Sequence, residues 1–259
     1  MKVLITGITG FIGDNLSRFL YHKGFEVYCL TRQEYNNEIN NIVYKLKEVK
    51  PDVVVHLATY YVKNHSIDDI DKLVESNLLF GIKLLEAMDI ANCRRIVNVT
   101  SAWQETHENL YASTKAAFYE ILQYYILKKS FIATTLVLSD TYGANDSRTK
   151  VVNIINNAFK DNKGIELLSS AKQRINLTYI DDITNAFYTA ISNDIIGKYD
   201  VMNEKEVTLQ EIVNTFEIIY NKKADIVFGS LYNDIYIPQN MLPMWKANIS
   251  LLEGLKNIV

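Results

Sequence analysis

The chain has two cysteines in 259 residues, no apolar run of membrane-spanning length and no excess of positive charge. Cys29 and Cys93 lie within or beside apolar segments and share no metal-ligand spacing. Free buried thiols are therefore expected, with neither a disulfide framework nor a metal site. Without a membrane-length stretch, and with an N-terminus that enters a strand instead of a signal-peptide pattern, a cytoplasmic protein with no membrane partner is expected. A formal net charge of −3 gives no field to hold a polyanion, which disfavours nucleic acid as a partner. Flexible linkers and internal repeats are also missing. What is present, 48% hydrophobic and 22% charged residues, is ordinary globular usage that can fill one large core.

The chemistry is expected where Thr100-Ser101-Ala102-Trp103 ends an apolar strand and Tyr111-Ala112-Ser113-Thr114-Lys115 heads a long helix. Tyrosine and lysine four apart share a helix face. The ammonium would then favour loss of the phenol proton by Coulomb attraction, since a phenol is otherwise a poor proton-transfer group at neutral pH. Ser101 would add a neutral hydroxyl aimed at the same substrate oxygen, and the three would polarise a carbonyl. Tyr-x-x-x-Lys also arises as a plain surface pair, so the pattern gains weight only from a glycine-rich turn at the N-terminus.

That turn is Gly7-Ile8-Thr9-Gly10-Phe11-Ile12-Gly13, between an apolar strand at residues 2–6 and a helix to about residue 23. Glycines there let the backbone turn sharply and approach a pyrophosphate. The helix N-terminus, entered at Phe11 and Ile12, offers unpaired N–H groups and a positive dipole end. A second strand, residues 26–30, runs into Thr31-Arg32 without an acidic residue to accept the adenosine ribose hydroxyls. Arg32 instead offers a fork suited to a 2′-phosphate, which tilts the cofactor towards NADPH, with NADH as the alternative because Glu34 stands close by. A helix over about 37–50 precedes the buried strand 53–57, where His56 reads as a hydrogen-bonded core residue. After Leu57, the small Ala58 and Thr59 would let a cofactor lie on the backbone. Residues 60–66 read either as a sugar-pocket wall or as a surface loop.

A helical pattern from Ile70 to Met88 carries Asn77, and strands and helices then alternate to Leu138. The expected fold is α/β: a Rossmann-like doubly wound parallel sheet with a smaller C-terminal α/β substrate lobe. Ligands in such sheets sit beyond the carboxyl ends of the strands, where Gly7, Ala58, Ser101 and Asp140 fall. The dinucleotide domain is placed at residues 1–142 with a return segment near 175–195, and the smaller lobe at 143–259. In that lobe residues 173–180 read as one strand entering an Asp181-Asp182 helix cap, and the strand at 199–202 is assigned to the lobe itself.

Taken together, Gly7, Gly10, Gly13, Ser101, Tyr111 and Lys115, in this order and on these elements, resemble the extended short-chain dehydrogenase/reductase superfamily. The run from Asn77 to Ala87 is similar to its fourth helix, and Arg174 to Asp182 to its return strand. The short interval between Ser101 and Tyr111, with Asp140-Thr141-Tyr142-Gly143, is similar to bacterial nucleotide-sugar reductases of the CDP-abequose and CDP-paratose synthase type. The resemblance implies that Lys115 holds the nicotinamide ribose, Tyr111 exchanges a proton with the sugar oxygen, and Asn77 and Asp140 belong to the cofactor wall. It also implies that Asp140, Arg148, Lys150 and Arg174 contact a nucleotide-sugar substrate. A surface ion pair is the other reading of Arg174, and a solvated face that of Arg148 and Lys150. Relatives pair the helices beginning near Ile70 and Leu110, so a homodimer is expected.

Three reactions share such a scaffold. A 4,6-dehydratase needs an acid and a base after the serine, where this chain has Ala102 and Trp103, unless Glu105, His107 or Glu108 substitutes. A 4-epimerase retains its cofactor and goes with an acidic NAD-selecting residue, against which Arg32 argues. A reductase of a 4-keto nucleotide sugar fits best. A dinucleotide-binding sensor or scaffold is the non-enzyme alternative.

Overall fold

A computed structural model describes residues 1–104 and 107–259. Its first half runs β1 (Lys2–Thr6), α1 (Phe11–His22), β2 (Glu26–Leu30), α2 (Arg32–Tyr35), α3 (Ile39–Val49), β3 (Val53–His56), α4 (Ile67–Val74), a π-helical turn (Glu75–Leu79), α5 (Phe80–Ile90), β4 (Arg95–Ser101), α6 (Leu110–Lys129) and β5 (Ile132–Leu138). Its second half runs β6 (Asp140–Tyr142), α7 (Val151–Asp161), β7 (Ile165–Ser169), β8 (Arg174–Ile175), β9 (Leu177–Tyr179), α8 (Ile180–Ser192), β10 (Gly197–Val201), β11 (Val207–Thr208), α9 (Leu209–Tyr220), β12 (Ile226–Leu231) and α10 (Leu251–Lys256).

Six parallel strands form the central sheet in the order β10-β5-β4-β3-β1-β2. Val3, Leu4 and Ile5 of β1 and Val53, Val54 and Val55 of β3 are fully buried, the signature of a parallel sheet covered on both faces. Their alternation feeds two layers. Val3, Ile5, Val53 and Val55 pack with Leu16 and Leu20 of α1 and Phe187 and Ile191 of α8. Leu4 and Val54 face the other way, towards Ile42 and Leu46 of α3, Leu84 of α5 and Phe118 of α6. The sheet is thus Rossmann-like, and its order reverses at β1, which has β2 on one side and β3 on the other. A crevice forms at that reversal.

The smaller lobe carries three two-stranded pairs, β6 with β9, β7 with β12 and β8 with β11. Phe159 of α7 stacks on Tyr220 of α9 at 5.3 Å. The C-terminal segment is tied to α8 by Asp182, whose carboxylate accepts the N–H groups of Asn248 and Ile249 at 3.0 Å, while Trp245 Nε1 donates to its carbonyl. Since α8 also packs on α1 and the sheet, the lobes are joined through one core.

Four local expectations change. Gly197–Val201 pairs with β5 at the edge of the main sheet, so it does not belong to the smaller lobe and the return runs on beyond residue 195. The stretch 173–180 is two strands with different partners, because β8 joins β11 while β9 joins β6. The backbone of Tyr179 opens α8 with no side-chain cap, and Asp182 serves the C-terminal segment instead. The helical pattern beginning near Ile70 is interrupted by the π-helical turn, whose extra residue a simple periodicity does not reveal. Cys29 and Cys93 are both free thiols. Among the described residues no helix is long and apolar enough to cross a membrane, and no group of metal-ligating side chains gathers.

Candidate active site

The glycine turn closes against β3. Gly7 has φ +75°, and a β-carbon on it would lie 2.6 Å from the Ala58 nitrogen; one on Gly13 would lie 2.2 Å from the Gly7 carbonyl oxygen. Only glycine permits both approaches. Gly10, the N-cap of α1, has no side chain to satisfy the first amides of the helix, which are left for a ligand. From here a groove of about 680 Å³ crosses the strand ends from Arg32 to Lys150. Every residue expected to hold cofactor or substrate lines it, except Asn77 and Arg174.

At the β2 end, Thr31 caps α2 with a reciprocal pair of bonds. Its N–H donates to Glu34 Oε2 at 2.7 Å and its hydroxyl accepts from the Glu34 N–H. Glu34 also pairs with Lys45 at 2.9 Å, so both its oxygens are engaged. Arg32 lines the groove, and Tyr35 stacks on Phe80 at 4.5 Å beside it. Tyr35 was missed from sequence because α2 is a single turn with no periodic pattern, and Phe80 because its place on α5 reads only as core.

At the other end Asn109 caps α6 by accepting the Ala112 N–H, and Tyr111 and Lys115 lie within the next two turns. Burial pushes the Tyr111 phenol up to about 12, with Tyr61 adding to the effect and a hydrogen bond with Thr59 and the charge of Arg148 opposing it. Burial alone draws Lys115 down to about 8. The expected Coulomb coupling between lysine and phenol is therefore not what sets the tyrosine here. The ammonium is instead felt by His56 within β3. Loss of water outweighs any attraction along the helix face. His56 is a satisfied core residue, bonded through Nδ1 to the Thr6 hydroxyl at 2.9 Å and lowered to about 3 by burial and then by Lys115.

Ser101, at the end of β4, accepts the Trp103 N–H at 3.3 Å. Tyr61 stands edge-on to Tyr111, ring centres 5.0 Å apart, and Trp103 lies beyond it. Lys150 Nζ sits 5.0 Å from the Tyr61 ring centre and 4.9 Å from that of Trp103, and pairs with Asp140 at 3.3 Å. Arg148 lies 4.4 Å over the Phe11 ring of the glycine turn, held by both oxygens of Asp146 and by the Thr141 carbonyl. Tyr61 and Trp103 could be suspected from their place in the chain, but not their shared cation.

Arg174 is not brought to the groove. It is exposed and pairs with Glu206 at 3.3 Å, the surface ion pair that was its other reading. Asn77 is buried in the π-helical turn and is joined to the groove wall through the Thr59 hydroxyl. His107 and Glu108 are exposed. Glu105 lies outside the described residues.

Residues 3–203, spanning this groove, match the family described as the NAD dependent epimerase/dehydratase family. The chain belongs to that family. A CDP-abequose synthase of Yersinia pseudotuberculosis is 30% identical over 258 residues, covering 90% of each chain. Another of Salmonella muenchen is 23% identical, covering 100% of this chain and 97% of its own. Among solved structures, a UDP-glucose 4-epimerase of Thermotoga maritima with UDP-glucose superposes with a TM-score of 0.85 at 17% identity, over 99% of this chain and 96% of that one. The residues present fit the nicotinamide dinucleotide of an epimerase/dehydratase-family enzyme: a β-carbon would fill the glycine cradle, and the first amides of α1 open onto it.

Proposed function

We propose that this protein is an NADPH-dependent reductase of the 4-keto group of a nucleotide-linked deoxysugar. The observation that carries the reading is the content of the groove beyond the glycine turn. Ser101, Tyr111 and Lys115 line one end, while the two residues after the serine are a buried alanine and a tryptophan. Such a set can serve hydride and proton transfer to a carbonyl but has no acid–base pair for eliminating water. The relatives from Yersinia and Salmonella are named for the synthesis of CDP-abequose, which supports a nucleotide-linked sugar as the substrate class. NADPH over NADH is favoured by Arg32 in the groove wall and by Glu34, whose oxygens are taken by Thr31 and Lys45.

When bound, the nicotinamide supplies the hydride that forms the new C4–H bond as the C=O π bond breaks. Tyr111 delivers its phenol proton to the resulting oxygen, leaving a hydroxyl on the sugar. Ser101 orients that oxygen, and Lys115 holds the nicotinamide ribose. Residues 1–142 with the return segment hold the dinucleotide and 143–259 most of the sugar nucleotide, with Arg148 and Lys150 on the substrate side and Asp140, paired with Lys150, at the boundary between the two. A cytoplasmic homodimer completes the reading, with Ile70, Val74 and Leu127 exposed on the helices expected to pair.

The test is to incubate the protein with NADPH and a panel of 4-keto nucleotide sugars, CDP-linked ones included, and to follow loss of nicotinamide absorbance. Consumption that Tyr111→Phe abolishes, while NADPH still binds, is the expected result. Interconversion of an unoxidised sugar nucleotide without net consumption of NADPH would make it an epimerase instead.

A further inference from the structure

We propose that Arg148, although it comes from the substrate side, also serves the cofactor: its guanidinium, fastened over the Phe11 ring, is a donor to the pyrophosphate of the bound dinucleotide. This rests on the nicotinamide dinucleotide of the family and not on which reaction follows.

Phe11 is the first residue of α1, directly after the uncapped Gly10, and it lines the groove. The guanidinium carbon of Arg148 lies 4.4 Å from the centre of its ring. A cation is thus stacked one ring away from the helix end where open amides and the dipole already favour an anion. Among the described residues, the other cations lining the groove stand elsewhere. Arg32 lies beside β2, Lys115 is buried on α6, and Lys150 is paired with Asp140 against Tyr61 and Trp103.

The fork is held in one plane by its own loop. Asp146, whose side chain is fully buried, accepts from Nε at 2.7 Å and from Nη2 at 2.8 Å. The Thr141 carbonyl and hydroxyl accept from Nη2 at 2.9 and 3.0 Å. Asn153 of α7 donates to the Asp146 and Arg148 carbonyls, which ties the loop down on either side of Ser147. Gly143 lets the same loop close on the ring, because a β-carbon there would lie 3.3 Å from Phe11 Cζ. All these bonds use Nε and Nη2, and Nη1 has no partner among the described residues. A purely structural pair would bury the whole fork, whereas 32% of the Arg148 side chain stays open along the groove. A guanidinium anchored on one edge and open on another is preorganised for a phosphate oxygen and loses little freedom on meeting it.

The test is Asp146→Asn combined with Arg148→Gln, which removes the charge without stranding a buried carboxylate. Calorimetry reads the binding of NADPH, of NADH, of ADP-ribose, which keeps the pyrophosphate without the nicotinamide, and of AMP, which has no pyrophosphate. The first three are expected to bind about ten-fold more weakly, the worth of one hydrogen bond to a charged group, and AMP within about two-fold of the parent protein. Arg148→Lys keeps the ion pair with Asp146 but lacks the fork, and weakens the same three ligands several-fold; it decides the matter if the double variant does not fold. ADP-ribose bound within about two-fold of the parent by either folded variant, a loss that AMP shares, or a loss confined to NADPH overturns the proposal. No sugar nucleotide is present and no turnover is read, so the outcome is separate from that of the reductase assay.

Discussion

Replacing Gly13 by alanine tests the cradle on which cofactor binding depends. A β-carbon there would meet the Gly7 carbonyl oxygen at 2.2 Å, the Gly7 carbonyl carbon at 2.9 Å and the Ile8 Cα at 2.8 Å. All three are backbone atoms, so no side chain can swing aside. Ordinary contact needs roughly 1 Å more, and the first turn of α1 must retreat from the end of β1 by about that distance. Overpacking of this kind destabilises by about 1–3 kcal/mol. The same retreat carries the uncapped amides away from the pyrophosphate. Loss of one or two charge-assisted hydrogen bonds, each about 1.5–3 kcal/mol, weakens NADPH binding roughly a hundred-fold. Titration of the purified variant with NADPH, followed by tryptophan fluorescence, reads this directly, and a thermal melt reads the strain. Gly24→Ala is the control, because Gly24 has φ +84° but nothing within 4 Å. It loses about 1 kcal/mol of stability and no NADPH affinity. Gly13→Ala binding NADPH within about three-fold of the parent protein would refute the reasoning.

Lys115 is held near 8 when folded against 10.5 when free. The unfolded chain therefore binds more protons between those values, so stability is depressed below pH 8 and regained as pH rises to 10.5. Lys115→Met is expected to abolish turnover yet raise the melting temperature at pH 7, by up to about 3 kcal/mol of stability; an unchanged or lower melting temperature contradicts this. Asp182→Ala strips the acceptor from the Asn248 and Ile249 amides, each worth about 1–3 kcal/mol, so the melting temperature falls and those amides exchange faster with deuterium. Arg32→Gln is expected to lower kcat/KM for NADPH about ten-fold and leave that for NADH within about two-fold; an equal loss with both cofactors would show that the guanidinium does not read the 2′-phosphate.

Much of the site was legible because its elements are local. A glycine turn between strand and helix, a serine at a strand end and a tyrosine one turn before a lysine each need only a few consecutive residues, and all line one groove. Relations across the chain were not legible. Arg174 carries the right charge for a diphosphate, but β8 pairs with β11 and leaves it beside Glu206. Arg148 was one of several loop cations, and nothing local shows that Asp146 and Thr141 fasten it over Phe11. The strand at Gly197–Val201 has no feature that tells a main-sheet edge from a small-lobe strand, since only its partner decides.

The sequence by itself determined the doubly wound sheet, the cradle at Gly7, Gly10 and Gly13, and the presence of Ser101, Tyr111 and Lys115 on elements that end at one groove, because hydrophobic period, backbone freedom and functional groups belong to short segments. Tertiary structure alone decided the electrostatics. Lys115 and Tyr111 lie one turn apart on α6 as their spacing requires, yet packing buries the lysine, whose charge is felt by His56, and leaves the tyrosine half-buried against Tyr61. Burial of each group, a property of the whole fold, then sets its proton affinity more strongly than their nearness in sequence.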